Sequence, residues 1–174
     1  DSSGFKLIVK RPQPRTLPLS VVWLHSENIH LAPKKKDVVV CVDFTVREST
    51  TISSSKDDMN DIAQVVAYRN HGHLNARNFY TDVYRRGKVR VGRIGERSAQ
   101  DAQIYYHISP ENPVVYVRPG DVLRLTCHYD TMDKNAVIPF SASELRGEMC
   151  NQYLMGSNIA LSPNMPGRAC DVAS

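Results

Sequence analysis

The chain predicts an all-β fold: an antiparallel β-sandwich of the jelly-roll kind, tied by two disulfides. Three observations carry that expectation. Short runs rich in Val, Ile, Tyr and Phe recur roughly every ten to fifteen residues. Pro, Gly, Asn, Asp and Ser punctuate them, and helical periodicity is hardly visible. Four cysteines, Cys41, Cys127, Cys150 and Cys170, are widely spaced with no CxxC or zinc-finger pattern.

Taken in order, the expected strands are Phe5–Lys10, Pro18–His25, Val38–Val46, Ile62–Tyr68, Asn78–Arg85, Val89–Ile94, Ile104–Ile108, Val114–Val117, Val122–Tyr129 and Asn151–Ile159. Each is bounded by turn residues and enriched in side chains that suit a pleated, half-buried surface. Arg11-Pro12-Gln13-Pro14-Arg15 is excluded from any central strand, because proline lacks the ladder donor. Arg86-Gly87-Lys88 reads as a hairpin turn, and Pro119-Gly120-Asp121 as a tight turn feeding the next strand. The polar stretch from Arg47 to Asp61 predicts a long loop or a short helix capped by Ser53 to Ser55.

With 174 residues the chain is expected to be one domain, residues 1–174, large enough to bury its own core. The net charge of +4 is modest, and its clusters, Lys34-Lys35-Lys36 and Arg85-Arg86, form no basic stripe interleaved with aromatics. Nucleic acid is therefore not an expected partner. No apolar run approaches the roughly 18 residues that span a bilayer, so no integral membrane segment is expected. The start at Asp1, without Met or a signal peptide, reads as a processed protein or an excised piece. An even set of cysteines without metal spacing reads as two disulfides formed in an oxidising compartment, hence a secreted or secretory-pathway protein.

Two features carry chemistry. His71-Gly72-His73 follows an apolar strand, and on an extended backbone residues two apart share a face, so both imidazoles can reach one metal. With six histidines in the chain, one such pair is weak evidence alone. Met149, in Glu148-Met149-Cys150-Asn151-Gln152-Tyr153, offers a soft thioether. Thioethers suit Cu(I), whereas zinc prefers thiolate, imidazole or carboxylate. Two His with one Met is a copper set; the competing role for Met149 is a core gap-filler.

Context joins the two. Ala67-Tyr68-Arg69-Asn70-His71-Gly72-His73, then Pro119-Gly120-Asp121-Val122-Leu123-Arg124-Leu125-Thr126-Cys127, then Gly147-Glu148-Met149-Cys150-Asn151-Gln152-Tyr153 resemble, in order, the A-Y-R-x-H-x-H, G-D-x-L-x-x-x-C and E-M-C-N-x-Y segments of the copper type II, ascorbate-dependent monooxygenases. The resemblance covers roughly Leu17 to Cys170 as one of the two domains of such an enzyme, and the peptidylglycine branch is the nearer. It implies one copper, Cu(I)/Cu(II), held by His71, His73 and Met149 where oxygen is activated, with ascorbate as external reductant. It implies that Arg69, Asn151 and Tyr153 contact the terminal carboxylate of a peptide or small-molecule substrate. A guanidinium forked onto a carboxylate is sound chemistry, although an ordinary salt bridge and packed strand residues are the competing reading. The resemblance also implies disulfides Cys41–Cys170 and Cys127–Cys150.

The sequence departs from that family in two places. The N-terminal copper domain, with its adjacent His-His pair that supplies an electron, has no counterpart here, and His25, His30, His107 and His128 are dispersed. His25 and His107 could assemble a second metal site, the alternative being surface or satisfied-core histidines. The stretch 47–61 resembles an insertion positioned to cover the face where the other domain would sit. Three functions therefore compete: a copper enzyme that hydroxylates a C–H bond alpha to a terminal carboxylate, a secreted, non-catalytic copper-binding, transfer or sensing module, and a purely structural β-sandwich in which the His-x-His pair and Met149 are vestigial.

Overall fold

The structure is a computed structural model and describes residues 19–47, 62–109, 116–157, 159, 161 and 168–169. The described residues contain twelve strands and no helix: β1 (Ser20–Ser26), β2 (His30–Leu31), β3 (Val38–Thr45), β4 (Ala63–His71), β5 (Ala76–Arg85), β6 (Val89–Ser98), β7 (Tyr106–His107), β8 (Tyr116–Val117), β9 (Val122–Tyr129), β10 (Ile138–Pro139), β11 (Cys150–Ser157) and β12 (Arg168–Ala169). One sheet runs β1-β11-β4-β7, with β8 pairing farther along β4; the other runs β12-β3-β9-β5-β6. A two-stranded ribbon, β10-β2, stands beside them, and every strand pairing is antiparallel.

Alternation sets the layers. In β9 the odd-numbered Leu123, Leu125, Cys127 and Tyr129 are all fully buried, and Phe79, Thr81 and Val83 of β5 stand beside them on the same face. Leu24 of β1, Leu154 of β11 and Val65 of β4 meet them from the other sheet in one apolar cluster. Fully burying a Leu, Val or Phe contributes roughly 1.5–3 kcal/mol each, which is what keeps the two sheets face to face. A polar bridge crosses the same core. Gln152 Nε2 donates to Asn70 Oδ1 at 2.8 Å, Thr81 Oγ1 donates to Gln152 Oε1 at 2.6 Å, and Asn70 Nδ2 donates to the carbonyls of Phe79 and Gly95 at 3.1 and 3.0 Å. Gly95 makes this crossing possible: a Cβ there would lie 2.6 Å from both Gln152 Nε2 and the Tyr68 ring.

The disulfide between Cys127 of β9 and Cys150 of β11 also joins the two sheets, with Cα atoms 5.8 Å apart. Cys41 is disulfide-bonded as well, but its expected partner Cys170 lies outside the described residues. So do the expected strand Phe5–Lys10 and nearly all of the polar stretch 47–61.

The expected turns are present. Arg86 and Gly87 both take positive φ, 49° and 68°, at the β5–β6 hairpin, the primed geometry that matches strand twist. Gly120, at φ 83°, closes the turn in which the Asp121 N–H donates to Arg118 O.

Boundaries differ from expectation in instructive ways. β4 continues three residues beyond Tyr68, to His71. The segment Ile104–Ile108 pairs only at Tyr106 and His107, leaving Ile104 and Tyr105 exposed beyond the sheet edge. β2, β10 and β12 are two-residue strands with too little pattern to be read in advance.

Candidate metal centre

His71 is the last residue of β4, and the chain leaves the strand at Gly72. His73 therefore does not reach its place by strand alternation, as the sequence suggests; a turn folds it back. Three groups hold that turn. The His73 and Asn75 backbone N–H groups donate to Glu148 Oε2 and Oε1 at 2.8 and 2.6 Å, and Asn75 Nδ2 donates to Glu148 Oε1 at 2.9 Å. Glu148 is fully buried, so these charge-assisted bonds are what make its burial tolerable. Gly72 is required by space, because a Cβ there would sit 2.6 Å from Ala76 Cβ and 2.7 Å from Phe79 Cζ.

The two imidazoles lie edge to face, ring centroids 5.4 Å apart. His73 Nδ1 donates to Gly147 O at 2.8 Å, and His71 Nδ1 donates to Gln103 Oε1. Both acceptors are carbonyl oxygens, so each Nδ1 carries the proton and each Nε2 keeps its lone pair. This is the arrangement in which a neighbouring acceptor sets the tautomer of a metal-binding histidine. Gln103 also donates to Gly72 O at 3.1 Å, and Gln100 Nε2 to His73 O at 2.9 Å, closing a frame around the turn.

Met149 stands directly before β11. Its carbonyl accepts from Tyr129 Oη at 2.9 Å. Burial first, then the nearby Glu148 charge, push the Tyr129 phenol well above its usual range, so it remains a donor into strongly alkaline solution. Asn151 Nδ2 points at Met149 Sδ, 3.5 Å away, and Asn151 is paired across the sheet with His71. Met149 and His71 thus stand at adjoining ends of β11 and β4, and the turn after β4 carries His73.

Cross-strand register continues the site outward. His25, Asn151 and His71 form one row over β1, β11 and β4, and Trp23, Tyr153 and Arg69 form the next row on the same outer face. The Arg69 guanidinium lies 5.6 Å from the Tyr153 ring centroid. His25 Nδ1, Arg69 Nε and Asn151 Oδ1 are buried atoms without a hydrogen-bond partner. His107 sits instead in register with Ala67 at the sheet edge, His30 pairs with Pro139, and His128 contacts Asp37 and Tyr80 on the other sheet. His25 on β1 and His107 on β7 are separated by β11 and β4, so the structure does not bring the two together.

Residues 21–172 match the family described as copper type II ascorbate-dependent monooxygenase, C-terminal domain. The chain belongs to that family. A tyramine beta-hydroxylase from Caenorhabditis briggsae is 34% identical over 90 residues, a stretch that is 52% of this chain and 15% of that relative. The chain therefore spans only a small part of the relative it matches.

Copper type II monooxygenases depend on copper and ascorbate, and the donor chemistry here fits such a metal: two imidazoles whose Nδ1 atoms are hydrogen-bonded, and a thioether next to Asn151, the cross-strand partner of His71. Trp23 of β1, and Glu148, Gln100 and Gln103 around the turn, are not site residues that the sequence singles out, and His25 of β1 is one only as a candidate for a second metal site. Only Glu148, inside the motif, carried a signal that could have marked it.

Proposed function

We propose that His71, His73 and Met149 hold one copper ion, cycling between Cu(I) and Cu(II), and that the chain is the oxygen-activating domain of a secreted monooxygenase. Bound there, the metal supplies the one-electron chemistry that lets one oxygen atom of O₂ enter a C–H bond while the other leaves as water, with two electrons from ascorbate and two protons. The protein's own contribution is placement. Glu148, Gly147 and Gln103 fix the two imidazoles, Tyr129 fixes the Met149 backbone, and the outer face of β11 and β4 presents the substrate. The observation that carries this reading is the pair of Nε2 lone pairs left free by the Nδ1 hydrogen bonds of His71 and His73.

The substrate proposed is a peptide or small molecule with a terminal carboxylate, hydroxylated at the carbon alpha to it. Arg69 carries an unpartnered buried Nε toward the same face as Asn151 and Tyr153, and a guanidinium favours an anion there. The similarity to a tyramine beta-hydroxylase raises a second substrate class, an arylalkylamine, for which the Trp23–Tyr153 rings offer a stacking surface. An ammonium group would have to avoid the Arg69 cation, which favours the carboxylate. The non-catalytic copper module remains the alternative function, since the second copper centre of the family lies in a separate domain, the proposed partner.

Copper titration of the wild type and His73→Ala tests the centre: one ion per chain is expected, lost in the variant. A glycine-extended peptide and tyramine are then each incubated with ascorbate and oxygen, and next with peroxide. Hydroxylated peptide is the expected product. Tight copper binding without product from either, including after addition of the partner domain, would establish the binding module instead.

A further inference from the structure

Exposed apolar side chains gather at one end of the sandwich, where β4 and β9 finish and β3, β5 and β11 begin. Leu74, Val137 and Leu145 are 60, 56 and 91% exposed there, and they line one open cleft of about 380 Å³. Met132, also exposed, stands on the loop that leads into it.

The fold does not use these side chains to hold its loops. Leu145 rides on a turn closed by its own backbone, in which the Arg146 and Gly147 N–H groups both donate to Ser143 O, at 3.0 and 3.2 Å. The turn carrying Leu74 is held by the Asn75 N–H donating to Glu148, and the loop carrying Met132 by its N–H donating to Asp130. Apolar tips clustered on rigid turns mark a contact surface.

Charge indicates what that surface meets. Lys34, Lys35 and Lys36 are exposed on the adjoining loop, which the fully buried Thr131 fastens. The Thr131 N–H donates to Lys35 O at 2.8 Å, its Oγ1 donates to Ala32 O at 2.7 Å, and its carbonyl accepts the Lys34 N–H at 2.9 Å. Of the acids nearby, Asp37, Asp130 and Asp133 each contact a basic group, His128, Arg77 and Lys134. Glu27 and Glu144 are left to face Lys34, Lys35, Lys36 and Arg146, and none of these cations has an ion-pair partner among the described residues. Apolar tips set among unpaired cations match an anionic bilayer, whose acyl chains lie beneath a layer of phosphates.

We propose that this end of the sandwich docks on anionic phospholipid membranes. Leu74, Val137 and Leu145 enter the boundary between headgroups and acyl chains, while Lys34, Lys35, Lys36 and Arg146 meet the lipid phosphates. The contact is peripheral, since no helix among the described residues is long and apolar enough to cross a membrane. It does not depend on a bound metal. His73 directly precedes Leu74 and Gly147 directly follows Arg146, so docking brings the frame around His73 to the membrane surface.

Co-sedimentation of the full chain with vesicles tests this, using phosphatidylcholine alone and phosphatidylcholine with about one third phosphatidylserine. Binding is expected on the mixed vesicles, and it should weaken more than about tenfold between roughly 0.1 and 1 M salt, as screening shortens from about 10 to about 3 Å. Leu145→Ser should weaken it about tenfold, and the joint change Lys34→Gln, Lys35→Gln and Lys36→Gln on the order of a hundredfold. Val89→Ser, at a residue 63% exposed beside the β5–β6 hairpin, should leave it unchanged. Each substitution is on the surface, so unfolding midpoints should match the wild type. Undiminished binding of Leu145→Ser would reduce the contact to surface charge and overturn insertion. Equal binding to both vesicle types would overturn the role of the lysines. No binding to either, with Leu145→Ser weakening association with the partner domain instead, would give this face to a protein and overturn the membrane reading.

Discussion

Glu148 anchors the proposed centre without being one of its ligands. Its two oxygens accept three N–H groups from the turn that carries His73, so any change is transmitted to the imidazole. Glu148→Gln keeps the shape but presents an NH₂ group to one of these donors. Loss of a supporting partner of this kind lowers metal affinity by about 10–100-fold, and copper titration of the variant checks it. Stability should fall too, by roughly 1.5–3 kcal/mol for a hydrogen bond to a charged group. Gly72→Ala probes the same turn sterically. A Cβ 2.6 Å from Ala76 and 2.7 Å from Phe79 cannot be accommodated without movement, so overpacking of about 1–3 kcal/mol is expected. The separation of His71 from His73 should change with it, read as altered nitrogen couplings in the spectrum of the Cu(II) form.

At the scale of strands, the site depends on β4 and β11 being held over the second sheet. The Cys127–Cys150 bond closes a loop with a sequence separation of 23. Replacing both cysteines by Ala should cost about 3 kcal/mol, measured by urea unfolding. Met149 precedes Cys150 directly, so the same variant should also weaken copper. The strand pattern itself was largely legible: β3, β5, β9 and β11 fall close to where apolar alternation puts them. What the pattern hid was the end of β4. Asn70 breaks the apolar alternation, and only the folded structure shows that it is an inward-facing residue satisfied by Gln152, Phe79 O and Gly95 O. Buried amides look like loop residues in a sequence, and so Arg69 and His71 seemed to lie beyond the strand. The two histidines, Met149 and their neighbours were legible through motif context. Trp23 and His25 were not, because their closeness to Asn151 and Tyr153 is made by strand register, which no local spacing encodes.

For the molecule as a whole, acid stability should be set in part by Asp82 on the second sheet. Burial alone pushes this carboxyl up, but hydrogen bonds from Arg93 and Arg90, with their charges, outweigh it and leave it below the usual carboxylate value. A group lowered in the folded state contributes stability that is full above its unfolded value, about 3.9, and is lost as pH falls from there through the folded value. Asp82→Asn should therefore unfold with a flatter pH dependence below about pH 4, followed by circular dichroism. Copper should act in the opposite direction. At a free concentration a hundredfold above its Kd, one site adds about 2.7 kcal/mol, a rise in Tm of roughly 5–10 °C for a chain of this size, absent in His73→Ala. The register that brings Asn151 against His71 has one more consequence, for the order of events in biogenesis. A zinc finger closes a short local loop and can capture its metal as it folds. Here the proposed ligands Met149 and His71 come to neighbouring strand ends only after β11 and β4, far apart along the chain, have paired. On that proposal a nascent polypeptide offers at most the isolated His71 and His73, so copper capture would follow the completed topology, and a metallated molecule would be one that has already folded.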